Sequence, residues 1–120
     1  MSRLSLRTYS DGRELRIELT GELDLSSARQ FEEALRRAER DEPELLVLDL
    51  RSLKFLDSTG LRLILSANTR ANREGRHLKL LEGGKAVQRI FRLTGVDERL
   101  DIVGSSEHER VDVAGSSAPD

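Results

Sequence analysis

The six residues Leu45-Leu46-Val47-Leu48-Asp49-Leu50 constrain this chain more than any other stretch. A mostly continuous apolar run with a single acid reads as a strand buried on both faces. Such a strand belongs inside a sheet with other layers packed on it. The flanking patterns supply those parts. Residues 13–19 alternate polar and apolar, placing Leu15, Ile17 and Leu19 on one strand face, and Leu4 and Leu6 share a face before them. Ser10-Asp11-Gly12 between the two runs is turn chemistry, because Asp-Gly accepts the positive φ of a tight hairpin. Gly21 to Leu25 reads as a connection. A helix follows, opened by a Ser27-x-x-Gln30 capping box, carrying the stripe Ala28, Phe31, Ala34, Leu35 and Ala38, and closed by Pro43.

After the apolar strand, a second helix begins near Asp57-Ser58-Thr59-Gly60, with Leu61, Ile64, Leu65, Asn68 and Ala71 on its inner stripe and Gly75 at its C-terminal cap. His77 to Leu81 alternates as a further strand. Gly83-Gly84 punctuates, and a short third helix runs to about Leu93 with Val87, Ile90 and Phe91 inward. Leu100, Ile102 and Val103 suit a last short strand. An opening hairpin followed by alternating strands and helices predicts a mixed α/β domain.

The 120 residues suffice for one domain, since domains most often run about 100–150 residues. That domain is placed at 1–103. Residues 104–120 hold four acids (Glu107, Glu109, Asp112, Asp120) and one base (Arg110), a formal −3 that leaves about +1 for the body out of a total of -2. This tail is expected to be disordered. Aromatics are only 3%, so the core must be aliphatic and no stacking platform for single-stranded nucleic acid is present. Without a basic excess, nucleic acid is a poor partner. There is no Cys, hence no disulfide, thiolate metal site or Cys nucleophile. The N-terminal residues form no signal-like apolar segment, and Leu45–Leu48 is the longest unbroken apolar run, far below the ~18 residues of a membrane span. A cytoplasmic protein with no direct membrane insertion is the expectation.

Chemistry concentrates at Asp57-Ser58-Thr59-Gly60. Small oxygen-bearing side chains at a helix start serve as N-caps, accepting from orphan amides. The same physics welcomes an anion, so a phosphoryl group on Ser58 would meet free amides while Asp57 opposed it. Spacing alone leaves both readings open.

Thr20-Gly21-Glu22-Leu23-Asp24-Leu25, then Leu46-Val47-Leu48-Asp49-Leu50, then Phe55-Leu56-Asp57-Ser58-Thr59-Gly60-Leu61, resemble a STAS domain, and within it the stand-alone anti-sigma factor antagonists. Gly75, the strand His77 to Leu81, and Val87-x-x-Ile90-Phe91-x-Leu93-x-Gly95 continue the resemblance over roughly residues 4–103. It implies a STAS-type α/β fold, a central mixed sheet with helices packed mainly on one side. It also implies that Ser58 is a phosphoacceptor, modified by an anti-sigma factor that is itself an ATP-dependent serine kinase and restored by a serine phosphatase. The unphosphorylated form would bind the anti-sigma factor and release the sigma factor. Asp24, Asp57, Ser58, Thr59 and Gly60 would form the partner-binding surface, Gly60 by letting the partner approach without a Cβ in the way. On local chemistry alone, Asp24 equally suits a cap of the first helix, and Thr59 suits helix-start geometry.

Rival readings find less support. A receiver domain would use Asp49 as phosphoacceptor, but needs an acid pair after its first strand, which Gly21-Glu22-Leu23-Asp24 does not supply, and a late Lys, for which Gly83-Gly84-Lys85 is a poor substitute. A P-loop fails because Lys79 stands where its first Gly belongs and Ala86 replaces its hydroxyl. No Gly-x-Ser-x-Gly elbow exists, and His77 and His108 suggest solvated imidazoles. No catalytic residue, metal or cofactor is expected. STAS modules also serve as accessory subunits of transporters or as stress-signalling scaffolds, which is the main alternative. Monomer and dimer both stay open.

Overall fold

A computed structural model of the chain describes residues 3–104; the expected tail, from residue 105 on, lies outside the described residues. The opening alternation forms a hairpin, β1 (Leu4–Asp11) and β2 (Glu14–Leu23), paired antiparallel with Asp11 opposite Glu14. Gly12, at φ 64°, takes the tight corner that an L side chain resists. From there the chain alternates: a 3-10 turn (Leu25–Ser27), α1 (Ala28–Arg40), β3 (Leu45–Leu56), α2 (Ser58–Arg73), β4 (His77–Leu81), α3 (Lys85–Thr94), a second 3-10 turn (Val96–Glu98) and β5 (Ile102–Val103). The sheet order is β1-β2-β3-β4-β5, with every pairing after the hairpin parallel.

Strand alternation sorts the side chains between two layers. Leu15, Ile17 and Leu19 of β2, Leu46, Leu48 and Leu50 of β3, and Leu78 and Leu80 of β4 join one core. Phe31, Leu35 and Ala38 of α1, Ile64, Ala67 and Ala71 of α2, and Val87 and Phe91 of α3 pack into that same core. All three helices therefore cover one sheet face, as three right-handed crossovers stepping the same way along the sheet require. Phe31 and Phe91 are fully buried there, and truncating either to Ala is expected to cost about 3–5 kcal/mol.

The second face carries Arg16, Glu18, Val47, Asp49, Lys79 and Leu81 in register. Val47, Asp49 and Leu81 are buried, so β3 is covered on both sides as its apolarity implies. The lone acid of the strand is held by its neighbour. Arg51 donates to Asp49 Oδ1 through its backbone N–H (3.1 Å) and Nε (3.0 Å), and to Oδ2 through its terminal nitrogen (2.8 Å). Burial works to raise the Asp49 pKa, but these Arg51 bonds and the charges of Arg51 and Arg16 outweigh it, leaving the carboxyl below its ordinary value.

Several expectations shift in detail. Gly21 to Leu23 is not a connection: it continues β2, with Gly21 opposite Leu53 and Leu23 opposite Leu56, across two register irregularities. The strand expected at Leu45–Leu50 runs on to Leu56. No Ser27–Gln30 capping box forms, because Ser27 makes no side-chain cap bond to α1 and Gln30 instead donates to Leu4 O at 2.9 Å. Asn68 is only half-buried, and the adjacent Ala67 takes the inner position. His77 pairs with Asp101 across to the chain entering β5. His108 lies outside the described residues.

Candidate functional site

Parallel strands β2 and β3 end side by side at Leu23 and Leu56, and each is followed by an aspartate, Asp24 and Asp57. The carboxyl ends of parallel strands are where α/β folds assemble their sites, because the loops there converge. Both acids turn inward on their own backbone. Asp24 Oδ1 accepts from Ser26 Oγ (2.6 Å), Ser26 N–H (3.0 Å) and Ser27 N–H (3.3 Å), while Ser27 Oγ accepts from Asp24 N–H (3.0 Å). This reciprocal box caps the 3-10 turn that leads into α1. The Ser26 hydroxyl bond, opposed in part by burial and reinforced by the Ser27 and Ser26 amides, lowers the Asp24 pKa from its ordinary value.

Asp57 joins the two loops. Its Oδ1 accepts from Gly60 N–H at 3.0 Å, which caps α2, and its Oδ2 accepts from Leu25 N–H at 3.1 Å. One carboxylate therefore fixes the start of α2 against the turn after β2. The Asp57 amide donates in turn to Leu23 O at 3.2 Å.

Ser58 is the first residue of α2 and is exposed, with its hydroxyl in no hydrogen bond among the described residues. Thr59 beside it is half-buried. Gly60 is part of the packing. It is buried, and a Cβ there would stand 2.6 Å from Leu23 Cγ and 2.8 Å from Leu56 Cδ1. The missing side chain leaves room for the packing of α2 onto β2 and β3. Asp49, the acid a receiver domain would use, is buried with both oxygens occupied by Arg51.

Two residues at this edge escaped sequence reasoning. Leu25 is 74% exposed and Phe55 46% exposed, large apolar side chains left on the surface near the ends of β2 and β3. Leu25 sits in the 3-10 turn and Phe55 near the end of β3, where no hydrophobic period marks a residue as exposed.

A family model described as the Mlab, STAS domain matches residues 6–105. The chain belongs to the STAS domain family. Its relatives include an anti-sigma-B factor antagonist of Staphylococcus aureus, 24% identical over 106 residues that span 88% of this chain and 98% of the relative. The anti-sigma-F factor antagonist RsfB of Mycobacterium tuberculosis is 33% identical over 82 residues, 68% of this chain and 66% of its own. An anti-sigma factor antagonist from Mycobacterium paratuberculosis superposes with a TM-score of 0.76 at 25% identity, over 82% of this chain and 84% of that structure. The one-sided mixed α/β architecture of this STAS domain is the one its sequence implied.

Proposed function

We propose that this STAS domain is an anti-sigma factor antagonist switched by phosphorylation of Ser58. The observation that carries the reading is the exposed, unbonded Ser58 hydroxyl at the start of α2, beside two carboxylates already committed to backbone amides. Unmodified, the surface around Asp24, Asp57, Ser58 and Thr59 meets an anti-sigma factor that is also a serine kinase, and the sigma factor is released. Leu25 and Phe55 extend that surface with apolar area, which contributes affinity when desolvated. The kinase transfers the γ-phosphoryl group of ATP to Ser58 Oγ, whose proton is lost as ADP forms. The product carries about −1.5 to −2 of charge next to Asp57 and Asp24, and a surface that fitted the partner neutral no longer fits. A serine phosphatase reverses the change by hydrolysis, returning the hydroxyl and inorganic phosphate. These steps belong to the cytoplasm, where sigma factors act. No helix among the described residues is long and apolar enough to cross a membrane.

The test is mass spectrometry of the full chain after incubation with the candidate anti-sigma kinase and ATP, paired with a binding assay. Ser58 gains one phosphate, Ser58→Ala retains binding and Ser58→Asp loses most of it. An unmodified Ser58 in a protein that co-purifies with a membrane transporter would instead establish the accessory-subunit role. Equal binding by both variants would remove the electrostatic mechanism.

A further inference from the structure

Helix α2 contains no acid from Ser58 to Arg73, and its first base, Arg62, stands one turn after Ser58. Arg62 is exposed and has no ion-pair or hydrogen-bond partner among the described residues. By contrast, Arg70 on the same helix is engaged by Glu39 of α1, with nitrogen–oxygen distances of 2.9–3.1 Å. Two carboxylates near the start of α2 already accept from backbone amides. The two oxygens of Asp57 hold Gly60 and Leu25, and Asp24 holds Ser26 and Ser27.

Residues four apart on a helix are surface neighbours, with about 5–6 Å between their Cβ atoms. Helical side chains also lean toward the N-terminus, so a long side chain at 62 reaches back over position 58. An anionic group N-terminal to a cationic one at this spacing is the favourable order. We propose that Arg62 is the ligand of the phosphate on Ser58: the guanidinium pairs with the phosphomonoester and holds it against α2. This rests on the reading of Ser58 as phosphoacceptor and adds how the modified state is held. Arginine matches phosphate with two parallel N–H donors, which a lone ammonium does not. Modification would then change the surface twice, adding a dianion and withdrawing an exposed cation from any partner that used it.

The test needs no kinase. Phosphoserine is incorporated at position 58 of the full chain during translation, and the second ionisation of the phosphate is followed by phosphorus NMR. In the native background it is expected about 0.3 pH unit or more below that in Arg62→Gln, because pairing favours the dianion. Asp57 and Asp24 raise the same titration in both proteins, so the difference isolates the arginine. Arg73→Gln removes an equal charge about 22 Å from position 58 along the helix axis and should leave the titration within 0.1 unit of native, as an order-of-magnitude bound. A titration unaltered by Arg62→Gln, or shifted equally by Arg62→Gln and Arg73→Gln, overturns the contact. Because the phosphate is installed directly, failure of a kinase to modify Ser58 would strike the phosphoacceptor reading and leave this result intact.

Discussion

A β-carbon at position 60 would enter the side chains of Leu23 and Leu56, which close the ends of two adjacent strands. Gly60→Ala must push α2 away from the sheet or force those leucines off their rotamers. A loss of about 1–3 kcal/mol in urea unfolding is the expected outcome. An unchanged midpoint would show that the helix start slides freely, against its two-way tether through Asp57. Ser58→Ala, two residues earlier, should leave the unfolding midpoint unaltered because its hydroxyl holds nothing in the fold. The proposed phosphoacceptor and a residue that holds the packing thus sit two positions apart. Local chemistry presents both as small residues at a helix start, and the packing that separates them arises from long-range pairing of β2 with β3.

Among the elements, the β2 end, the 3-10 turn and the start of α2 act as one joint, and Asp57 is its pin. Asp57→Ala leaves the Gly60 and Leu25 amides without their acceptor and should cost about 1–2 kcal/mol, with faster hydrogen exchange at both amides. Retained protection at Leu25 would show that the turn is held from elsewhere. Much of this layout was legible beforehand, because alternation at 13–19, apolarity at 45–50 and the stripe of α2 each report burial directly. Less legible were the strand ends. Arg51, Ser52, Lys54 and Phe55 are exposed, so β3 beyond Leu50 shows little hydrophobic pattern, yet its backbone still pairs with β2. Gly21 reads as a breaker although it occupies an irregular register within β2. The Ser27-x-x-Gln30 signature misleads at the start of α1 because Asp24, which suits the entry turn, claims Ser27 first.

Over the whole molecule, charge sets the response to acid. The Asp49 carboxyl titrates below its ordinary 3.8 in the folded chain. A depressed folded pKa stabilises the fold fully above the unfolded value, and that contribution disappears as pH falls through the folded value. Unfolding followed by circular dichroism should therefore show stability declining from about pH 4 downward. Asp49→Asn should lower stability at neutral pH and flatten the decline, since nothing is left at that position to protonate. A decline as steep in Asp49→Asn as in the native chain would assign the acid sensitivity to other carboxyls.

The strand order has a consequence for how the molecule is made. Each strand from β2 to β5 lies beside the strand that precedes it in the chain, and none is inserted between two others. No pairing has to open to admit a later segment. Each added strand and helix closes a loop of local size, which keeps the entropy of closure small. The sheet can therefore be laid down from the N-terminus in the order of synthesis, with the hairpin first and β5 last. The Ser58 joint is complete once α2 has emerged, before β4 and β5 exist.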